Sequence, residues 1–151
     1  MLPTQGYATM TAKTALQSFS FERREVGSHD VLITITHCGI CHSDIHQARD
    51  ERGGSIFPMV PGHEIVGTVA QTGAATKRLK TGDRVGVGCF VDSCRRCGPC
   101  REGLKQYCEA GMLLTYSNRD KDGQPTQSGY STQIVVDEQY VLRIPSALSP
   151  A

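Results

Sequence analysis

The stretch Asp30-Val-Leu-Ile-Thr-Ile-Thr-His37 decides the fold class of this chain. It is rich in β-branched residues, and its alternation predicts a half-buried strand with one apolar face. The side chains on that face are Val31, Ile33 and Ile35, with Leu32 on the other. Similar short runs predict strands at 65–70, 84–87, 131–136 and 140–144. Because glycines interrupt several of these runs, we predict a mainly β fold with the bent strands of a barrel.

One short helix and two long loops lie between the predicted strands. Ser43 is a good N-cap residue and Asp44 suits a first helical turn, so we predict a helix from Ser43 to Ala48. Residues 50–61 form a loop with glycine and proline. Residues 89–122 form a longer polar excursion that contains five of the seven cysteines. A loop of that length inside a compact domain needs an organiser of its own.

The composition limits the class of protein. A chain of 151 residues is long enough for one domain with a sizeable core. Its 16 Lys and Arg against 15 Asp and Glu exclude a strongly basic nucleic-acid-binding arm and an acidic tail. No apolar run approaches the ~20 residues of a membrane span, and no apolar leader follows Met1, so we predict a cytoplasmic protein without a membrane partner. An odd number of cysteines, seven, argues for metal binding or reactive thiols and against a disulfide framework.

Four of the cysteines have the spacing of a structural zinc site. Cys94, Cys97, Cys100 and Cys108 form the pattern C-x2-C-x2-C-x7-C. Zinc takes four thiolates at ~2.3 Å in a tetrahedron, and two-residue gaps let one tight turn supply neighbouring ligands. Free surface thiols and a cysteine-ligated iron–sulfur cluster are the alternatives that the spacing leaves open. A site with four protein ligands has no open position, so we expect it to stabilise the fold without taking part in catalysis.

A second candidate metal site is divided between two segments. Cys41 follows the first predicted strand and His63 precedes the next one, and a thiolate with an imidazole is typical of catalytic zinc. Asp44 and Glu64 are acidic residues close to these ligands, suited to orienting an imidazole N–H or balancing charge. Either segment alone would be better explained by a buried cysteine or by a histidine with an ordinary hydrogen-bond partner.

Taken in order, the segments resemble the zinc-dependent medium-chain alcohol dehydrogenases. Within that family the chain is similar to the cinnamyl-alcohol-dehydrogenase-like aldehyde reductases. The resemblance covers nearly the whole chain, and its clearest segments are Cys38-Gly-Ile-Cys-His-Ser-Asp44 and Phe57-Pro-Met-Val-Pro-Gly-His-Glu-Ile-Val-Gly67. The other matching stretches are 86–108, 114–116 and 140–145.

The resemblance implies a fold and a set of roles. The fold would be a GroES-like, partly open barrel with a four-cysteine zinc lobe at about 89–122, and residues 1–151 would form the catalytic domain. Cys41 and His63 would be ligands of the catalytic zinc, with Glu64 behind the metal. Ser43 would take the proton of the alcohol, and His46 would pass it to solvent by way of the nicotinamide ribose.

The same resemblance implies further roles around this site. Asp44 would be the partner of the zinc-binding histidine, and His42 would lie near the phosphates of NADP(H) or NAD(H). The substrate would be a small alcohol or aldehyde, with zinc as Lewis acid and the nicotinamide as hydride carrier. Arg52 stands where relatives usually have a tryptophan beside the substrate pocket, so a preference for bulky aromatic aldehydes does not carry over.

The sequence also departs from the family. It has no G-x-G-x-x-G after a strand, so the dinucleotide-binding domain is expected to be absent from this chain. In the family a third cysteine ligand of the catalytic zinc lies just beyond position 151. We therefore expect a catalytic-domain fragment that is inactive by itself, from an enzyme that dimerises largely through the missing domain. Cys38 and Cys89 are expected to be small buried residues and not ligands.

Two other classes of protein are considered beside the enzyme fragment. One is a stand-alone GroES-like zinc-binding module without redox activity. The presence of Ser43, His46 and Glu64 favours the enzyme, because a module with a purely structural role needs no proton relay. The other is a zinc-ribbon nucleic-acid-binding protein, which a net charge of +1 and few aromatic residues disfavour.

Overall fold

The computed structural model describes residues 1–149, and residues 150–151 of the predicted domain lie outside the described residues. The described chain is mainly β, with two short α-helices and two 3-10 turns. The strands are β1 (Leu2–Ala8), β2 (Gln17–Arg23), β3 (Asp30–Gly39), β4 (Glu64–Thr72), β5 (Arg84–Val87), β6 (Phe90–Asp92), β7 (Leu113–Leu114), β8 (Gln133–Asp137) and β9 (Val141–Arg143). The helices are α1 (His42–Ala48) and α2 (Gly98–Arg101), and the 3-10 turns are Lys105–Tyr107 and Glu138–Tyr140. None of the helices within residues 1–149 has the length and apolar character needed to cross a membrane.

The centre of the fold is a five-stranded antiparallel sheet in the order β8-β3-β4-β5-β9. The pairing of β3 with β4 shifts register between Leu32 and Ile33 and again between Ile35 and His37. Such irregularities increase the local bend and twist of a strand. Gly67 on β4 meets β3 so closely that a β-carbon there would lie 2.4 Å from the carbonyl oxygen of Thr34. The prediction of bent, glycine-containing barrel strands is confirmed.

The core lies on one face of this sheet. Val31 and Ile33 are completely buried, together with Val69, Val85 and neighbouring apolar side chains of the other strands. Burial of each such side chain contributes about 1.5–3 kcal/mol, so the sheet is held by its own packing. Ile35, predicted on the same face, is only half-buried and packs at the margin of the core.

An N-terminal hairpin of β1 and β2 was not predicted. The inward residues of β1 are buried but small or polar (Thr4, Gly6 and Ala8), and those of β2 are only half-buried, so the strand signal from hydrophobic residues is weak. The hairpin nevertheless pairs with the rest of the barrel, because Tyr7 N–H donates to the Tyr130 carbonyl at 2.8 Å and Thr132 N–H donates to the Gln5 carbonyl at 2.8 Å. It therefore fixes the segment that precedes β8.

The N-cap of α1 lies two positions before the predicted one, and the helix begins one position earlier than predicted. Cys41 is the N-cap residue, and Ser43 is already inside the helix. The reason is that the Asp44 carboxylate folds back and accepts a hydrogen bond from Cys41 N–H at 2.9 Å, which satisfies an N-terminal backbone donor of the helix. Ser43 is thereby free to direct its hydroxyl elsewhere.

Candidate metal centres

The cysteine cluster brings four thiol sulfurs together. The Sγ atoms of Cys94, Cys97, Cys100 and Cys108 lie within 4.8 Å of one another. Cys94 Sγ and Cys100 Sγ are 3.9 Å apart. Four thiolates around zinc at ~2.3 Å would be separated by about 3.8 Å, the edge of the tetrahedron. The donor set and its spacing therefore fit Zn²⁺.

The backbone of the cluster is organised around these sulfurs. Cys97 caps α2, so that Cys97 and Cys100 lie on either side of one helical turn, and Cys108 ends the 3-10 turn that follows. Hydrogen bonds from the backbone N–H groups of Arg96 and Cys97 lower the pKa of Cys94 to about 6. A thiolate is the form that binds a metal, so these N–H groups prepare the cluster for a cation.

The cysteine cluster is joined to the barrel through Arg95. Its Nε donates to Asp92 Oδ1 at 2.8 Å, and its guanidinium also pairs with Asp137 Oδ2 at 2.7 Å. Nearby, Ser93 Oγ and the Tyr140 hydroxyl are 2.7 Å apart. Both aspartates lie in or at the end of strands, so the lobe is attached to β6 and β8 by polar contacts.

The second cluster contains Cys41, His63 and Glu64. Its three ligand atoms lie within 4.8 Å of one another, although Cys41 and His63 come from different segments. They meet because Gly39 at the end of β3 pairs with Glu64 at the start of β4, so the residues just beyond these strand ends are neighbours. A sulfur, an imidazole nitrogen and a carboxylate oxygen are each ligands that zinc accepts, and three protein ligands leave a position for substrate.

Asp44 lies behind the second cluster and orients His63. It is only 3% exposed. Its carboxylate accepts hydrogen bonds from Cys41 N–H at 2.9 Å, from Gly62 N–H at 3.0 Å and from His63 Nδ1 at 3.2 Å. Since Nδ1 then carries the proton, Nε2 of His63 is the nitrogen left to bind a metal.

Two tyrosines complete the surroundings of Asp44, and neither was found by sequence analysis. The Tyr130 hydroxyl lies 3.3 Å from Asp44 Oδ2. The Tyr116 ring stacks on the His63 ring with centroids 5.7 Å apart. Burial, aided by a hydrogen bond to Asp44, raises the pKa of Tyr116. The sequence contained no signal for these contacts beyond the position of Tyr116 in a stretch that matches the family.

The predicted relay residues lie along α1. Ser43 Oγ is 3.6 Å from Cys41 Sγ, at the second cluster. The His46 side chain is 31% exposed, and its Nδ1 pairs with the Glu51 carboxylate. This contact lowers the pKa of Glu51, a residue that sequence analysis did not single out. Within residues 1–149 no direct hydrogen bond joins Ser43 to His46, so a proton would need an intermediate carrier between them.

The remaining predicted residues lie around these groups. His42 is exposed, and its ring stacks on that of His46 with centroids 4.4 Å apart. Cys38 is half-buried, and burial raises the pKa of its thiol to about 11. Cys89 was expected to be buried, but it is exposed, because it follows Gly88 beyond the paired end of β5. Of the described residues that can bind metal, neither Cys38 nor Cys89 belongs to a cluster.

Comparison with known proteins agrees with this geometry. A family model described as the alcohol dehydrogenase GroES-like domain matches residues 27–146. The chain is 53% identical over 148 residues to NADP-dependent alcohol dehydrogenase C of Mycobacterium bovis, a match that covers 98% of this chain and 43% of that relative.

The fold of the chain is also similar to the folds of solved alcohol dehydrogenase structures. The crystal structure of CAD from Helicobacter pylori complexed with NADP(H) has a TM-score of 0.91 and 45% identity, covering 95% of this chain and 42% of that one. A cinnamyl alcohol dehydrogenase from Sorghum bicolor has a TM-score of 0.94 and 41% identity, covering 97% of this chain and 42% of that one. The chain thus spans less than half the length of the relatives it matches.

Proposed function

The chain belongs to the alcohol dehydrogenase GroES-like domain family, and from that membership we propose that residues 1–151 are the catalytic domain of a zinc- and NADP(H)-dependent alcohol dehydrogenase. Its reaction is the interconversion of primary alcohols and aldehydes. The observation that carries the proposal is the convergence of Cys41, His63 and Glu64 beside the hydroxyl of Ser43. The names of the relatives supply the preference for NADP(H).

The two clusters have different roles in this proposal. Cys94, Cys97, Cys100 and Cys108 hold a structural Zn²⁺, and Cys41, His63 and Glu64 hold a catalytic one. Zinc at the second cluster supplies a Lewis acid for the oxygen of the alcohol or aldehyde. A dinucleotide-binding domain outside this chain holds the nicotinamide cofactor, with His42 directed towards its phosphates.

The residues of α1 transfer the proton of the reaction. Ser43 accepts the proton of the alcohol hydroxyl, because its hydroxyl lies beside the second cluster. His46 exchanges this proton with solvent, since its ring is partly exposed. Glu51 binds Nδ1 of His46 and so leaves Nε2 for the exchange. Asp44 keeps His63 in the tautomer whose Nε2 faces the cluster.

The remaining features agree with this assignment. All seven cysteines are free of disulfide bonds within the described residues, which fits a reducing compartment, and we propose the cytoplasm.

The proposal is tested with a chimera, because this chain covers only part of its relatives. Residues 1–149 are joined to the C-terminal portion of the Mycobacterium bovis alcohol dehydrogenase, and reduction of a series of aliphatic and aromatic aldehydes is followed by loss of NADPH absorbance. We expect two zinc ions per chain, turnover, and a fall in kcat of about 10²-fold or more in Ser43→Ala. The matched control is Ser20→Ala, on the exposed face of β2, which should leave kcat unchanged.

The outcomes separate the parts of the proposal. A folded chimera that binds two zinc ions and NADPH but has no turnover would overturn the enzymatic function and favour a zinc-binding module. Turnover that is equal in Ser43→Ala and in the wild-type chimera would remove Ser43 from the proton relay. One zinc per chain in both the wild-type chimera and Cys41→Ser would show that the second cluster does not bind zinc.

A further inference from the structure

Tyr130 contacts both halves of the second cluster without belonging to it. Its hydroxyl lies 3.3 Å from Asp44 Oδ2. Its ring lies directly against Gly62, where an added β-carbon would come within 2.5 Å of the tyrosine Cδ1. Gly62 immediately precedes His63, and Asp44 binds His63 and the backbone of Cys41. One side chain therefore contacts the segments that carry both a thiol and an imidazole ligand.

The backbone that carries Tyr130 is paired with the backbone that carries His63. Tyr130 N–H donates to the Pro61 carbonyl at 2.9 Å, and Gly129 N–H donates to the Gly62 carbonyl at 2.9 Å. Ser128 N–H donates to the Val60 carbonyl, also at 2.9 Å. These bonds align residues 128–130 with residues 60–62, so the position of the tyrosine ring relative to His63 is fixed.

Arg23 holds this paired segment from the other side. Its guanidinium donates to the carbonyl of Gln127 at 2.9 Å and to that of Ser128 at 3.1 Å. The Tyr7 N–H donates to the Tyr130 carbonyl. The N-terminal hairpin thus supports the segment on which Tyr130 stands, which makes the phenol a rigid donor instead of a mobile surface group.

We infer that Tyr130 is a positioning residue for the second cluster, acting through Asp44. At neutral pH a phenol is protonated, so its O–H donates to Asp44 Oδ2. The carboxylate then has fixed partners on both oxygens: Oδ1 accepts from Gly62 and His63, and Oδ2 accepts from Cys41 and Tyr130. Without the phenol, Oδ2 keeps the bond from Cys41 N–H but loses its second donor, so Asp44 and the imidazole that it binds are held less rigidly. The inference rests on the proposed function, because it assumes that the second cluster binds zinc.

The experiment measures zinc affinity at each cluster of the chimera by competition with a chromogenic chelator. Tyr130→Phe removes only the hydroxyl and keeps the ring against Gly62. We expect about a tenfold loss of Zn²⁺ affinity at the second cluster, the transition that Cys41→Ser abolishes, and no change at the cysteine cluster. The control is Tyr107→Phe, whose side chain is 66% exposed in the cysteine lobe, and which should change neither affinity.

A double-mutant cycle distinguishes positioning through Asp44 from packing. In the background Asp44→Asn, the further change Tyr130→Phe should have almost no effect on Zn²⁺ affinity, because the acceptor that it serves is already altered. Additive losses would overturn the inference, and so would equal second-site affinity in Tyr130→Phe and the wild type. A loss of similar size at both clusters would show general destabilisation and would also overturn it. A wild-type chimera that binds only one zinc ion would refute the zinc site of the proposed function, and this is seen before any variant is compared.

Amide hydrogen exchange tests the same inference without metal. It can be used if a variant folds too poorly for the zinc titration. Asp44 accepts from the amides of Gly62 and Cys41, so these amides should exchange slowly with solvent in the wild type. Tyr130→Phe should speed their exchange about tenfold and leave the amide of Val69, bonded to the Asp83 carbonyl, unchanged. Fast exchange of both amides in the wild type would overturn the inference.

Discussion

The cysteine cluster takes all four of its ligands from residues 94–108, whereas the second cluster takes Cys41 and His63 from opposite sides of a long loop. From Ser93 to Leu113, within the described residues, the only buried apolar side chains are those of Cys100 and Cys108. Around the second cluster, by contrast, Met59, Val60 and Ile65 are buried in or beside the barrel core. We therefore expect a metal to organise the first cluster, while the barrel itself organises the second.

The substitution Cys94→Ser has the largest expected effect, and it tests whether the cysteine lobe depends on a metal for folding. A lobe without a core of its own depends on its metal for folding, so the loss of one thiolate should remove one zinc ion and lower the free energy of unfolding by at least about 4 kcal/mol, or cause aggregation. Zinc content and urea denaturation measure both effects. Cys89→Ser, at an exposed cysteine outside the clusters, is the control and should change neither. A Cys94→Ser protein of normal stability would show that the lobe folds without its metal.

Two glycines test whether the two clusters differ in their dependence on close packing, since each glycine immediately adjoins a candidate ligand. Gly62 has φ of 96°, and a β-carbon there would lie 2.7 Å from Cys38 Sγ, whereas a β-carbon at Gly98 would meet nothing within 4 Å. We expect Gly62→Ala to cost about 2–3 kcal/mol of stability and to weaken zinc binding at the second cluster. Gly98→Ala, beside Cys97, should change stability by no more than about 0.5 kcal/mol.

The same denaturation and zinc titrations decide the result. Equal effects of the two alanines would mean that the barrel packing near His63 is as tolerant as the surface of the lobe. In that case the second cluster would not depend on close packing, and the contrast between the clusters would fail.

The contrast also explains what the sequence could predict. The cysteine spacing is a local property, so the four sulfurs could be grouped without knowledge of the fold. Strands β3, β4 and β5 were predicted because their burial leaves a pattern of β-branched residues. The hairpin of β1 and β2 was not predicted, since its strands are stabilised by pairing with residues 130–132 that lie far away in sequence.

Only part of the second cluster could be predicted from the sequence. Cys41 and His63 were singled out because their segments resemble a family, but their proximity depends on the register of β3 and β4. Tyr130 and Glu51 could not be found, because nothing in the surrounding residues shows that the first reaches Asp44 or the second reaches His46. Contacts of this kind are fixed by the closure of the barrel and not by local spacing.

The smallest expected effect tests whether the barrel is stabilised without metal. Asp30 begins β3, at the end of that strand far from Cys41, and its carboxylate pairs with Arg24. Burial disfavours the charged form, yet the hydrogen bonds from Arg24 and from Gly27 N–H prevail and keep the pKa of Asp30 below its ordinary value of 3.8. Because the folded-state pKa is the lower one, the pair stabilises the fold above about pH 4, and this stabilisation is lost as the pH falls through the folded-state pKa.

Asp30→Asn should therefore reduce the free energy of unfolding at pH 6 by about 0.5–1 kcal/mol. The effect is small because the Arg24 side chain is 41% exposed and solvent screens the pair. The difference between the variant and the wild type should shrink as the pH falls below about 4 and should vanish below the folded-state pKa of Asp30, where the carboxyl is protonated in both folded and unfolded chains. Both proteins lose metal over the same acidic range, so the difference between their urea denaturation curves isolates the carboxylate. A difference that stays constant from pH 6 to below the folded-state pKa of Asp30 would show that Asp30 acts through packing and that this ion pair does not stabilise the barrel.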